Sequence, residues 1–127
     1  MQQQFQKHYT REEANALLPQ IRQWLARIAE LRQTLEQSET RLAALTNRGE
    51  DIGGPVVNGW VRALLELNAV LGEFRSREIA VKDLERGLID FPAIIGGREV
   101  FLCWEQDEES VEHWHELDTG YAGREKL

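Results

Sequence analysis

Apolar residues in the first third of the chain recur at alternating spacings of three and four. Leu17, Ile21, Trp24, Ile28, Leu31, Leu35, Leu42 and Leu45 form the series, and only Ser38 interrupts it. This is the a/d pattern of a heptad seam rather than the broader stripe of an ordinary surface helix. It predicts one helix from Thr10 to about Asn47, roughly 55 Å long at about 1.5 Å per residue. The start is marked by Thr10-Arg11-Glu12-Glu13, a capping box in which threonine and glutamate exchange hydrogen bonds with each other's backbone. The acids of that first turn also suit the positive end of the helix dipole. Pro19 comes too late to be a first-turn proline, so a kink or short break is expected there. Asn47-Arg48-Gly49 supplies a left-handed stop, and Gly53-Gly54-Pro55 prevents continuation. A second helix follows from about Val56 to Arg77, with Val57, Trp60, Leu64, Leu67, Leu71 and Phe74 on its seam. Two such helices joined by a short loop form an antiparallel hairpin.

From Ile79 onward the period changes. Residues 87–95 and 98–104 read as strands separated by Gly96-Gly97, a good two-residue hairpin turn. Pro92 assigns the first of them to a sheet edge or to a bulge, and residues 111–117 offer a third strand. Both faces of Val100–Trp104 are apolar, which calls for cover on both sides. The helical hairpin is one cover and a second chain is a candidate for the other. The expected fold class is therefore α+β: a long, coiled-coil-like antiparallel α-helical hairpin on a small antiparallel β-sheet of two or three strands. Residues 1–127 read as a single domain, with 10–77 the hairpin and 78–127 the sheet and C-terminal tail.

Composition narrows the picture further. The chain has 127 residues, of which 42% are hydrophobic and 29% charged, enough apolar material for one core. No run of about 18 apolar residues occurs, so no bilayer-spanning segment is expected. Residues 1–7 lack the apolar stretch of a secretory signal. A cytoplasmic location follows as the expectation. Cys103 is the only cysteine, which excludes an intrachain disulfide and a four-cysteine zinc site. The net charge of −7 is uneven: residues 1–78 carry ten basic and ten acidic side chains, residues 79–127 five and twelve. Between Glu105 and Asp118 lie seven acids and no lysine or arginine. Such a surface repels a phosphate backbone, so no nucleic-acid partner is expected there. A solvated loop is its simplest role.

The sharpest chemical motif is His113-Trp114-His115-Glu116-Leu117-Asp118. On a strand, His113 and His115 share a face about 7 Å apart along the chain. Two imidazoles so placed can bind a divalent transition metal, with Asp118, Asp90 or Cys103 completing the ligand set. The competing structural reading has His115 hydrogen-bonding a buried carboxylate while Trp114 packs in the core. His115 with Asp90 or Asp118 would also make an acid/base pair, and Cys103 with His115 a nucleophile–base pair. Cys103 lies within an apolar strand, where a thiol is ordinarily inert core. Asp118-Thr119-Gly120-Tyr121-Ala122-Gly123-Arg124 has glycines and an arginine suited to an anion. No helix N-terminus follows to complete a phosphate site, and an Asx-turn with Arg124 paired to an acid explains it as well. Asp90 in a covered strand demands a partner, and Arg86, Arg98 and Arg124 are candidates.

Four segments carry a family resemblance: Tyr9–Pro19, Lys82–Ala93, Glu99–Trp104 and Trp114–Arg124. They resemble the bacterial group known as domain of unknown function 2203, across nearly the whole chain. The resemblance implies no reaction and no catalytic residues. His113 departs from the family pattern, where an aromatic residue is more usual.

The first helix, about 38 residues, exceeds the second, about 22, so part of its seam lacks an intrachain partner. A homodimer is the expected consequence, with Trp24, Ile28, Leu31 and Leu35 at the interface. The same seam could instead serve a different protein partner. The functional expectation is a non-catalytic oligomerising interaction or scaffold protein. The alternatives are a metal-binding protein around His115 and a small enzyme with His115 as acid/base. The lack of a catalytic motif weighs against an enzyme.

Overall fold

The computed structural model describes residues 3–49 and 54–127; Gly53, half of the expected Gly-Gly stop, lies outside them. Helix α1 runs from Arg11 to Asn47 and helix α2 from Pro55 to Ser76. Strands follow at Ala80–Asp83 (β1), Leu88–Ile95 (β2), Arg98–Glu105 (β3), His113–Glu116 (β4) and Glu125–Lys126 (β5). A 3₁₀ turn at Tyr121–Gly123 precedes β5. The class is α+β, and the antiparallel sheet has five strands in the order β1-β2-β3-β4-β5 instead of the two or three expected. The extra strands, β1 and β5, span four and two residues, too short for an alternating pattern to show in the sequence. Among the described residues no helix is long and apolar enough to cross a membrane.

The chain divides into two compact units, Met1–Gln23 with Phe74–Leu127, and Trp24–Glu73. The division falls inside both helices rather than at the junction of helices and sheet.

In the first unit, the capping box forms as expected. Glu13 N–H donates to Thr10 Oγ1 at 3.1 Å and Thr10 N–H to Glu13 Oε1 at 2.9 Å. Helix α1 passes through Pro19 without a break. The buried Ala14, Leu18 and Ile21 around it offset the proline's cost of about 3 kcal/mol. The opening turns of α1 lie on the sheet face that carries Phe91 and Trp104. Tyr9 meets Phe91 edge-on at 5.7 Å, the Arg22 guanidinium stacks on Trp104 at 4.9 Å, and Asn15 Oδ1 accepts from Val111 N–H at 2.7 Å.

The turn Gly96-Gly97 is confirmed, with φ of 59° and 78°, the left-handed pair of a tight hairpin. Pro92 does not mark an edge strand, because β2 lies between β1 and β3. β1 covers only Leu88–Asp90 of β2. Beyond it the Pro92 carbonyl accepts from Tyr9 N–H at 2.7 Å, so the missing proline N–H falls on the side away from β3. The bulge is in β1, between Val81 and Asp83.

The second sheet face carries the chain's own N-terminal segment. Phe5 packs edge-on against Phe101 at 5.4 Å. Glu99 accepts from the Gln4 and Phe5 N–H groups at 2.7 and 2.9 Å, and Glu78 from those of Gln6 and Lys7 at 2.9 and 2.8 Å. At the sheet edge, Leu127 N–H extends the β4–β5 ladder by donating to Glu112 O at 2.8 Å.

In the second unit, Leu25, Ile28 and Leu31 are buried on α1 and Ala63 on α2. Leu18 and Leu25 occupy the fully buried positions of α1 and keep the alternating spacing with Ile21 and Ile28, while Leu17 and Trp24 are half-buried beside them. On α2 the expected Phe74 is buried, but Ala63 is buried in place of the expected Leu64, which is exposed. Arg27 of α1 pairs with Glu66 of α2 at 2.5 Å, and Trp60 Nε1 reaches Glu39 Oε1 at 3.5 Å.

Candidate functional site

Three of the five residues expected from the sequence to hold a metal converge. Asp90 on β2 and Cys103 on β3 are direct cross-strand partners, and His115 enters from β4 one diagonal step away. Side chains two residues apart on a strand share a face, so the register alone puts all three on the side facing the chain termini. Asp90, Cys103 and His115 are 1%, 0% and 2% exposed. One donor atom from each lies within 4.8 Å of the other two.

The hydrogen bonds count the protons. His115 Nδ1 lies 2.7 Å from the Glu116 carbonyl oxygen. A carbonyl only accepts, so Nδ1 carries a proton. Nε2 lies 3.0 Å from Asp90 Oδ2, and that contact needs one further proton, on either the ring or the carboxyl. The pair thus holds a single shared proton and is electrically neutral overall. Asp90 Oδ1 is buried with no hydrogen-bond partner among the described residues. None of the three candidate arginines serves Asp90: Arg86 pairs with Glu105, Arg98 with Glu116 and Arg124 with Glu108. The Cys103 thiol is pushed up to about 12, by burial first and then by the neighbouring Asp90 carboxylate. It is therefore protonated at neutral pH and inert as a nucleophile.

His113 shares the face of His115 but belongs to a different cluster. Its Nδ1 lies 2.5 Å from an Arg124 nitrogen; a guanidinium only donates, so this imidazole nitrogen accepts. The same arginine nitrogen donates to both carboxylate oxygens of Glu108, at 2.8 and 2.7 Å. Glu105 accepts from Arg86 at 2.8 Å and from the Tyr121 hydroxyl at 3.2 Å. The Arg86 hydrogen bond is the main reason its carboxyl sits below the ordinary range. The Arg86 and Arg124 guanidiniums both stack on Tyr121, at 4.4 and 4.7 Å from its ring. Part of the acidic stretch read as a solvated loop is therefore a structural lock on β5 and the 3₁₀ turn. The sequence pairs Arg124 with an acid only in general terms; nothing in the spacing identifies Glu108. Asp118 is exposed in the turn after β4 and joins neither cluster. Glu99, the anchor of the N-terminal segment, carried no signal in the sequence.

Chemically, the buried trio can share a proton or hold a cation. It cannot meet a substrate at Nε2 without the termini moving aside, since the ring and its carboxylate are sealed from solvent. Of the expected interface residues, Ile28 and Leu31 are buried within the chain, while Trp24 and Leu35 are half-buried.

Fold and site together define an α+β protein with a five-stranded meander and an Asp–Cys–His cluster sealed inside it. A family model described as an uncharacterized conserved protein (DUF2203) matches residues 7–127, and the chain belongs to that family. No curated protein and no solved structure matches it.

Proposed function

We propose that this chain is a non-catalytic interaction protein whose two helices form an antiparallel hairpin that pairs with a second copy of itself. The observation that carries the reading is on α2, where Val61, Leu64 and Leu65 are 40%, 37% and 64% exposed. Large aliphatic side chains grouped on one helix face mark an interaction surface more than scattered ones do. The hairpin reading is supported by partners that run in opposite order on the two helices: Arg27 meets Glu66, and Glu39 meets Trp60. With Ile28 and Leu31 already buried in the chain, the pairing surface moves from the seam of α1 to the outer face of α2.

Charge favours a second copy as the occupant. Residues 24–73 carry a net charge of −2, and the rest of the chain carries −5, so two copies repel least through this region. A cytoplasmic location accords with the lone, reduced thiol.

Sedimentation equilibrium over a wide concentration range tests the reading. The expected result is twice the chain mass, reverting to a monomer with unchanged circular dichroism in the Val61→Glu/Leu65→Glu variant. A wild-type monomer at every concentration overturns it.

A further inference from the structure

We propose that Asp90, Cys103 and His115 form a binding site for a single thiophilic divalent ion of the zinc class, through a carboxylate oxygen, Sγ and Nε2. The site is independent of the pairing surface on α2.

Three features of the geometry converge on it. First, the donors come from adjacent strands β2, β3 and β4, whose register fixes them on one face. Ligands on rigid elements hold their positions better than ligands on loops. Second, His115 Nδ1–H is held by the Glu116 carbonyl at 2.7 Å. That contact fixes the tautomer and turns the Nε2 lone pair toward Asp90, as the outer partner of a metal-bound histidine does. Third, Asp90 Oδ1 is fully buried with no partner among the described residues. A buried carboxylate oxygen left unsatisfied is costly, and a cation removes the cost.

Dimensions and charge agree. Tetrahedral zinc, its fourth position taken by a water that enters with the ion, has bonds of about 2.0–2.3 Å and sets its ligand atoms roughly 3.4–3.7 Å apart. Nε2 and Oδ2, now 3.0 Å apart, open by about half an ångström. The remaining separations, all within 4.8 Å, close by about an ångström or less. A thiolate, an imidazole and a carboxylate form a borderline-soft set that selects zinc, cobalt or iron over magnesium and calcium. The proton shared by Asp90 and His115 leaves, and so does the thiol proton. Two protons are exchanged for one M²⁺, so the buried site is neutral before and after.

Burial dictates the experiment, because the ion enters as the sheet closes. The full chain, without a histidine tag, is unfolded in chelator, freed of it, and refolded with Co²⁺ or Zn²⁺. The expected result is one ion per chain, a raised melting temperature, and a thiolate-to-cobalt charge-transfer band beside tetrahedral d–d bands. Isothermal titration in buffers of different ionisation enthalpy should show two protons released per ion. Cys103→Ser should abolish the charge-transfer band. Asp90→Asn and His115→Gln should weaken binding at least about a hundredfold, since loss of outer partners alone costs about ten- to a hundredfold. His113→Ala and Asp118→Asn should leave stoichiometry and spectrum unchanged. A refolded wild-type chain with native circular dichroism, no charge-transfer band and no bound ion overturns the proposal. So does binding lost in His113→Ala but kept in Cys103→Ser. If the trio variants fail to fold, the wild-type spectrum and proton count decide alone.

Discussion

Replacing Asp90 with alanine and, separately, with asparagine distinguishes a buried hydrogen bond from a buried charge. In the metal-free protein the carboxylate holds one proton jointly with His115 Nε2 at 3.0 Å, in a site that is 1–2% exposed. Asp90→Ala leaves the imidazole nitrogen buried with no partner. Breaking a buried ion pair from one side costs about 3–5 kcal/mol. Part of that loss is recovered, because Oδ1 has no partner among the described residues and its removal relieves about 1 kcal/mol. The net expectation is about 2–4 kcal/mol of lost stability, with the melting temperature falling roughly 3–5 °C for each kcal/mol. Asp90→Asn keeps the shape and lets the amide N–H donate to Nε2 of a neutral ring, so its cost should stay under about 1 kcal/mol. Urea unfolding followed by circular dichroism, with chelator present, measures both. The reasoning is refuted if Asp90→Ala lies within about 1 kcal/mol of wild type, or if asparagine is as damaging as alanine.

Glu99 predicts an acid-sensitive N-terminal segment. Burial works to raise its carboxyl, but the hydrogen bonds from His8 and from the N–H groups of Gln4 and Phe5 outweigh it and leave the pKa below the ordinary value of 4.5. A carboxyl depressed by folding adds stability that is fully present above 4.5 and lost as pH falls through its folded pKa. The stability gap between wild type and Glu99→Gln should therefore be constant near neutrality and shrink below pH 4.5; a gap that widens on acidification contradicts the assignment. Gly87 has φ of 65°, and a Cβ there would lie 2.7 Å from the Gln106 side chain. Gly87→Ala should lower stability by about 1–2 kcal/mol from the left-handed backbone alone, read as a shift in the urea midpoint.

Features written in adjacent residues were legible. The Thr10–Glu13 box and the Gly96-Gly97 turn are local, and each appears where the sequence placed it. Asp90 was recognisable as a charge that had to be answered, and His115 as a residue that would answer a carboxylate. Choosing His115 over three arginines needed the strand register, which depends on how β4 aligns with β3. The seam of α2 failed at Leu64 because spacing rules cannot see that the buried slot takes the smaller Ala63. β1 and β5 leave no pattern in the sequence because they span four and two residues. Pro92 was assigned to an edge since the sequence does not reveal that the Tyr9 N–H would occupy its open side.

Strand order that follows chain order has a consequence for assembly. The β2–β3 hairpin can zip from Gly96-Gly97 outward and bring Asp90 opposite Cys103 early, with only local loop closure to overcome. His115, 25 residues from Asp90, joins only when β4 docks. The imidazole therefore works as a latch: its contact with the carboxylate is among the last to form and reports that the meander has closed.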